Sequence, residues 1–289
     1  MSMRVSWLDL DLTMYPSFVR ALMRKLPDGS WIRSVGRWAG CKIKIARGEL
    51  VCDCPGVGVY WSGAWFNPHE RAYLLRSEGA RALLRAFRGL SLAVDPFERE
   101  LIFIPIFLSR RTDYEANVLR WCDKLWRELS RVKDVAELKV EAAGASYQLK
   151  QLREMLPEFL SRRIRDIDDP WEARRELLRL KFVGPKVADA YLLFTGLDTS
   201  SAPVDTHLVK VANRLGLARW SRTPQKSLCA KYTCDECPAS DSCLRSIMAR
   251  EYGEMAGWVQ TAAYVLDRLY CGRRRCGECG VTSVCKEAR

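Results

Sequence analysis

The chain has 289 residues, of which 48% are hydrophobic and 28% are charged, a balance typical of a soluble globular protein. The length allows one large domain or two ordinary ones, each with a real core. The net charge is +12, with 47 Lys and Arg against 35 Asp and Glu. Such a surface attracts polyanions, nucleic acid first among them, although the well-solvated surface of a heat-adapted protein would carry a similar charge.

The sequence offers no segment suited to a membrane. Residues 1–16 lack the apolar stretch of a secretion signal, and the longest apolar run, residues 101–108, is too short to span a bilayer. We therefore expect an intracellular, cytoplasmic protein with no membrane partner. Its twelve cysteines should stay reduced, so clustered cysteines indicate bound metal rather than disulfides.

Short strands are predicted in the first part of the chain. Residues 42–54 form two alternating runs around a turn at Gly48, and residues 55–63 look like a second strand region punctuated by glycine. We therefore predict a β-rich N-terminal region over residues 1–67.

Helical periodicity begins near residue 68. The apolar spacing predicts a series of helices over 70–87, 95–111, 114–129, 147–160, 170–180 and 254–270. The wide apolar face of the second helix is typical of a central core helix. The expected fold is mostly α (α+β), with a helical core over residues 68–220.

Residues 180–194 predict two helices joined by a tight turn, within a hairpin that spans about 170–194. The first helix ends at Leu180, the turn contains Val183 and Gly184, and the second helix begins at Pro185 or Lys186. Unpaired N–H groups at the start of the second helix would suit a DNA phosphate. A plain helical corner has the same pattern, so the hairpin alone does not decide between the two.

A second motif follows at residues 201–217, where Pro-Val-Asp-Thr-His leads into a helix of apolar periodicity. Asp205 is a natural N-cap, because its carboxylate can accept the free N–H groups of the first turn. Alone, this pattern indicates only a capped helix. Its occurrence just after the hairpin draws attention to Lys186 and Asp205 as a pair.

The C-terminal region carries a repeated cysteine pattern, C-x4-C-x2-C-x5-C, and we predict a metal-binding region over residues 221–289. Four thiolates at such spacing suit an iron–sulfur cluster or structural zinc, and spacing does not separate the two. The first set is Cys229, Cys234, Cys237 and Cys243, and the second is Cys271, Cys276, Cys279 and Cys285. The other four cysteines fit no pattern and are expected to be small hydrophobic residues: Cys41, Cys52, Cys54 and Cys122.

The hairpin VGPK, followed by VADAYLLF and then PVDTH, resembles the helix-hairpin-helix DNA glycosylases, in particular the 8-oxoguanine DNA glycosylases and endonuclease III. The resemblance covers roughly residues 90–289. It implies that Lys186 attacks the sugar carbon bearing the damaged base, while Asp205 stabilises charge on the sugar. A lysine at this position implies a bifunctional enzyme, a glycosylase that is also an AP lyase.

The resemblance also implies DNA contacts by Val183, Gly184 and His207. Relatives fill the gap left by the flipped base with a polar Gln or Asn, and here Arg110 and Arg111 stand in that segment. The family hairpin usually reads Leu-Pro-Gly-Val-Gly. Phe182 replaces its first glycine, which predicts a changed turn with Phe182 packed inward.

Relatives of endonuclease III hold a [4Fe–4S] cluster on C-x6-C-x2-C-x5-C, and both sets resemble this spacing with the first gap shortened by two residues. By position the second set resembles the family cluster better, because it follows a long helix as in endonuclease III. A [4Fe–4S] cluster is therefore expected on the second set, and a cluster or zinc on the first.

The implied partner is double-stranded DNA with a damaged base, bound by a monomer associated with the nucleoid. Removal of 8-oxoguanine is favoured over removal of an oxidised pyrimidine. A monofunctional glycosylase for uracil or alkylated bases, and a non-catalytic metal-dependent DNA-binding protein, remain as alternatives.

Overall fold

The computed structural model describes residues 2–54 and 56–287. The N-terminal region forms a five-stranded antiparallel sheet in the order β1-β5-β4-β3-β2. Arg47 and Gly48 both have left-handed backbones, with φ of 52° and 75°, and form the tight turn between the last two strands. The β-containing N-terminal part predicted from the sequence is thereby confirmed. The strands are β1 (Ser2–Arg4), β2 (Met23–Lys25), β3 (Trp31–Arg33), β4 (Lys42–Ala46) and β5 (Glu49–Cys52).

The strand predicted over residues 55–63 is wrong, because this segment contains the short helix α2 (Gly58–Ser62). Pro55 itself lies outside the described residues. The helix packs onto the sheet so closely that a Cβ at Gly58 would lie 2.3 Å from the Cys52 sulfur, and Trp61 is fully buried beneath it. Tertiary packing has overridden the local strand propensity of Val and Tyr.

The prediction for two N-terminal cysteines is also wrong, because Cys41 and Cys54 form a disulfide with their Cα atoms 6.0 Å apart. They flank the β4–β5 hairpin, in which Ile43 pairs with Cys52, so the register brings the two cysteines opposite each other. Cys122 is a free and fully buried thiol, in accord with a small hydrophobic residue.

Helices form the rest of the chain, and the predicted mostly α fold is confirmed. A π-helical turn at Tyr114–Val118 precedes α5. The predicted helix over 70–87 is shorter than expected, because the Ser77 hydroxyl caps the helix by accepting from the Ala80 N–H at 3.1 Å. The helices are α1 (Leu10–Met14), α3 (Glu78–Ala86), α4 (Arg99–Leu108), α5 (Leu119–Val132), α6 (Tyr147–Ser161), α7 (Pro170–Arg179), α8 (Pro185–Phe194), α9 (Thr206–Leu215), α10 (Lys226–Cys229), α11 (Leu244–Tyr252) and α12 (Ala256–Leu269).

Two helices organise the core. Helix α4 is buried at every position from Leu101 to Leu108 and packs against α6 and α8. Helix α12 is buried along most of its length and packs against α9 and α3. No helix in residues 2–54 and 56–287 is both long and apolar enough to cross a bilayer.

A buried ion pair fixes the hairpin formed by α7 and α8. The Arg174 Nε atom lies 2.7 Å from an Asp189 carboxylate oxygen, and both side chains are almost fully buried. Arg245 from α11 approaches the same carboxylate at 3.4 Å. Removing one partner of such a pair typically costs about 3–5 kcal/mol, so these contacts hold the hairpin rigidly in place.

Candidate active site

A cavity of about 1140 Å³ opens between the end of α4, the hairpin turn, the start of α9 and α12. Its walls include Lys186, Asp205 and His207, so the two motifs separated in the sequence meet in one place. The aromatic side chains in the wall are Phe18, Tyr114, Tyr147, Phe182, Phe194 and Tyr264.

Lys186 lies in the first turn of α8, and its amine faces this cavity. The Nζ atom donates a hydrogen bond of 2.8 Å to the Ser109 hydroxyl and lies 5.7 Å from the centre of the Phe18 ring. Burial lowers the pKa of the Lys186 amine below its ordinary 10.5; the Asp205 charge opposes the shift and the Arg110 charge adds to it. A lysine attacks only as the neutral amine, so this environment favours a nucleophile.

Asp205 uses its two carboxylate oxygens for different contacts. One oxygen accepts the Leu208 N–H at 2.8 Å, which makes Asp205 the N-cap of α9, as its sequence pattern predicts. The other accepts from the Gln260 side-chain amide at 3.4 Å. The carboxylate is therefore fixed by both α9 and α12 while it faces the same cavity as Lys186.

The left-handed residue of the hairpin turn is Phe182, with φ of 65°, and not a glycine. Arg110 supports this conformation, because its guanidinium donates to the Phe182 carbonyl at 2.8 Å. Gly184 is the N-cap of α8 with an ordinary extended backbone, φ of −115° and ψ of 176°. The turn therefore places its left-handed residue at Phe182, and Gly184 does not supply it.

Because a Cβ added to Gly184 would meet no atom within 4 Å, the fold does not require glycine at this position. We expect Gly184→Ala to leave the thermal unfolding temperature nearly unchanged, since its backbone is one that alanine adopts freely. If a DNA phosphate binds at this helix N-terminus as the sequence predicts, the added methyl group would obstruct it. We then expect DNA affinity to fall about tenfold, the equivalent of one lost phosphate contact of about 1.4 kcal/mol. Titration of labelled duplex DNA measures the change. Equal affinities for the two proteins would contradict a phosphate site here.

The two arginines after α4 differ in their surroundings. Arg110 points inward, since it also donates to the Phe107 carbonyl at 2.8 Å and to Gln151 at 2.9 Å. Burial lowers the pKa of Arg110 to about 10, so it remains a cation at neutral pH. Arg111 is exposed and has a left-handed backbone with φ of 49°. Arg111 is therefore the freer of the two side chains at the mouth of the cavity.

The other residues expected to contact DNA also differ in exposure. Val183 is buried, backbone included, with 1% of its surface exposed, so the structure does not present this residue to a ligand as the sequence led us to expect. His207 lies in the cavity wall, where its Nδ1 atom is 2.6 Å from a carboxylate oxygen of Asp267. Burial alone would raise the pKa of Asp267, but His207, Lys210 and Arg214 lower it overall. These contacts hold the His207 ring in one orientation.

Gln260 and the ion pair between Asp113 and Arg268 were not found from the sequence. The Asp113 and Arg268 side chains lie 3.1 Å apart, and both line the cavity. Gln260 is a buried polar residue in the largely apolar first part of α12, and this would have been the sequence signal for it. Nothing in the sequence connects Asp113 with Arg268.

The two cysteine sets have different neighbours. All four cysteines of the second set line one small cavity bounded by Leu215, Leu266 and Tyr270. In the first set, the Cys234 sulfur accepts from the Arg245 guanidinium at 2.9 Å. Within the part of the chain that the structure describes, no three His, Cys, Asp or Glu side chains are already grouped as ligands of one metal ion. The donor chemistry and common cavity of the second set nevertheless fit a thiolate-bound metal centre.

Two known proteins are similar to this chain in sequence. A probable N-glycosylase/DNA lyase of Methanothermobacter thermautotrophicus is 31% identical over 143 residues, which cover 46% of this chain and 40% of that protein. Endonuclease III of Thermotoga maritima is 29% identical over 161 residues, which cover 52% of this chain and 70% of that protein. The matched segment thus spans less than half the length of the first relative. No protein-family model matches the chain.

The fold is shared along almost the whole chain with a solved structure. The 8-oxoguanine glycosylase/lyase of Clostridium acetobutylicum, in complex with double-stranded DNA containing cytosine opposite 8-oxoguanine, superposes with a TM-score of 0.67 at 16% identity. The superposition covers 90% of this chain and 92% of the other. These similarities in sequence and in fold support a relationship to the helix-hairpin-helix DNA glycosylase superfamily. The helix-hairpin-helix that gives this superfamily its name corresponds here to α7, the turn and α8, and Lys186 lies in the first turn of α8.

Proposed function

We propose that the chain is a base-excision DNA glycosylase with AP-lyase activity, which removes an oxidised base from double-stranded DNA, with 8-oxoguanine as the favoured lesion. The observation that carries the proposal is the position of Lys186, whose partly buried amine shares a cavity with the Asp205 carboxylate. The cavity of about 1140 Å³ has room for a flipped nucleotide, since ligand pockets typically measure roughly 300–1,000 Å³.

In the proposed reaction, the damaged nucleotide rotates out of the duplex into this cavity, where aromatic side chains stack on the base. Arg111 fills the gap in the duplex, while the backbone at Gly184 and the side chain of His207 contact the DNA strand. The net charge of +12 supports binding to the phosphate backbone. A monomer suffices for these contacts.

The lone pair of the neutral Lys186 amine forms a bond to the sugar carbon C1′ as the glycosidic bond breaks. The electrons of that bond leave with the base, which takes up a proton. The sugar ring then opens, with the C1′–O4′ electrons and a proton from the amine moving to O4′, and a Schiff base to Lys186 remains. Loss of a C2′ proton expels the 3′ phosphate and cleaves the strand.

Asp205 acts before the bond to Lys186 is complete. As the base departs, positive charge develops on the sugar, and a carboxylate fixed nearby stabilises that charge without having to reorganise. Its bonds to Leu208 and Gln260 hold it in place for this task.

A panel of duplexes, each with one defined lesion, tests the proposed substrate. We expect the fastest release from 8-oxoguanine, which the similarity to the Clostridium acetobutylicum enzyme supports. The similarity to endonuclease III favours an oxidised pyrimidine as the second candidate. Release of uracil or an alkylated base with the abasic strand left intact would contradict the lyase, and release of no base would favour a non-catalytic DNA-binding protein.

We also propose that the second cysteine set holds a [4Fe–4S] cluster, which would fix the C-terminal loop, and that the first set holds a cluster or zinc. The four second-set thiols around one cavity support this assignment. We expect the purified protein to absorb visible light, and Cys276→Ser to reduce that absorption and the iron content. Cys52→Ser, which changes a free cysteine outside both sets, is the control. A colourless protein containing stoichiometric zinc would contradict the cluster.

A further inference from the structure

We propose that Ser109 is a positioning residue for the Lys186 amine, holding one amine N–H so that the lone pair remains directed into the cavity. The inference rests on the proposed function and deepens it. The Lys186 Nζ atom donates to the Ser109 oxygen at 2.8 Å, a contact between residues far apart in the chain. In residues 2–54 and 56–287, this hydroxyl is the sole hydrogen-bond acceptor of the Lys186 amine.

The local geometry of Ser109 determines which role its hydroxyl can play. The hydroxyl has one hydrogen, and it donates this hydrogen to the Ile106 carbonyl at 2.7 Å. Only oxygen lone pairs therefore face Lys186. Ser109 must accept an N–H from the amine and cannot donate to the amine lone pair.

This one-way contact matters because a neutral amine has two N–H groups and one lone pair. With one N–H fixed on Ser109, the lone pair is free to form the bond to C1′ while the glycosidic electrons leave with the base. A hydroxyl that donated to the amine would occupy the lone pair and block attack. The contact thus selects a reactive orientation of a side chain that otherwise has four rotatable bonds.

The support of Ser109 is rigid. Its backbone N–H donates to the Pro105 carbonyl at 3.0 Å at the end of α4, and α4 is fully buried from Leu101 onward. A positioning group on a rigid element holds its partner more accurately than one on a loop. Ser109 therefore links the core of the protein to the nucleophile.

The matched control is Ser161, at the end of α6. Its hydroxyl also donates to a carbonyl in its own helix, that of Glu158 at 3.0 Å. It differs from Ser109 in being remote from the cavity lining. A comparison of Ser109→Ala with Ser161→Ala thus separates the contact to Lys186 from the general loss of a helix-terminal hydroxyl.

The test measures the rate of borohydride-trapped adduct formation on abasic duplex DNA over a range of pH, together with DNA affinity. We expect Ser109→Ala to slow trapping on the order of 10-fold at every pH while DNA affinity stays unchanged, because orientation is lost and not binding. In a plot of trapping rate against pH, the rise on the acid side should stay in place or move to lower pH. The reason is that the Ser109 hydroxyl, which is lost in this variant, also stabilises the protonated form of the Lys186 amine. Ser109→Thr, which keeps the hydroxyl, should restore most of the rate.

Three results would overturn the inference. Trapping by Ser109→Ala at the wild-type rate would mean that the contact does not contribute to adduct formation. A loss of rate that is fully recovered at high pH would mean that Ser109 affects only the pKa of the Lys186 amine. If the Ala variant does not fold, Ser109→Cys supplies the test, since sulfur is a weak acceptor and the loss should persist. If wild-type protein forms no Lys186-dependent adduct, the proposed function fails and the Ser109 inference fails with it.

Discussion

Replacing Lys186 by Gln should abolish the borohydride-trapped adduct with abasic DNA and slow strand cleavage by a factor on the order of 1,000 or more, as removal of a nucleophile does in other enzymes. The amide has no basic lone pair and cannot form a Schiff base. Folding should be retained, because Gln is an unbranched polar side chain only slightly shorter than Lys and removes the penalty of burying a charged amine. Gel separation of the trapped complex measures the effect.

Lys181→Gln is the matched control, since this lysine lies on the same hairpin but is exposed and paired with Glu154. It should trap DNA at the wild-type rate. The wild-type lyase rate should rise with pH as the Lys186 amine loses its proton, over a range below the ordinary lysine pKa of 10.5. An adduct that survives Lys186→Gln would show that another group is the nucleophile.

Asp205→Asn should reduce the rate of base release about 100-fold or more, because the amide cannot stabilise positive charge on the sugar. Its effect on stability should be small, since Asn caps a helix about as well as Asp. Single-turnover release from a lesion duplex and thermal unfolding measure the two effects separately.

Asp205→Ala provides the comparison, because it removes the charge and the bond to Leu208 together. It should lose activity like Asp205→Asn but should also lose about 1 kcal/mol of stability. Removing the Asp205 charge further lowers the pKa of Lys186, so the acid limb of the lyase profile should move to lower pH in both variants. Base release by Asp205→Asn at the wild-type rate would show that Asp205 only caps helix α9 and takes no part in the reaction.

Local sequence patterns predicted much of the fold. The start of α8 after Gly184, the cap at Asp205 and the β4–β5 turn at Gly48 each depend on neighbours in the chain, and each is found as expected. The proximity of Lys186 and Asp205 could also be predicted, but only because the sequence resembles a known family. It failed at residues 55–63, where packing against the sheet formed a helix.

The remaining features of the site depend on distant parts of the chain. Ser109 meets Lys186 only because α4 and α8 pack together, and Gln260 meets Asp205 only because α12 and α9 do. The left-handed backbone of Phe182 could not be predicted from the sequence either, since the hydrogen bond that stabilises it comes from the distant Arg110. No local pattern records such contacts, and a single sequence offers no other signal for them.

The carboxylate of Asp189 ties the lysine-bearing helix α8 to two arginines, Arg174 on α7 and Arg245 on α11. Arg245 in turn binds the sulfur of Cys234, so the hairpin and the Cys-rich segment share one buried anchor. Local unfolding of either part would leave buried charged groups of the other part, such as Asp189 or Arg245, without an ion-pair partner. We therefore expect the hairpin and the Cys-rich segment to unfold and refold as a single cooperative unit. Damage to the cysteines should then also weaken DNA binding by the hairpin.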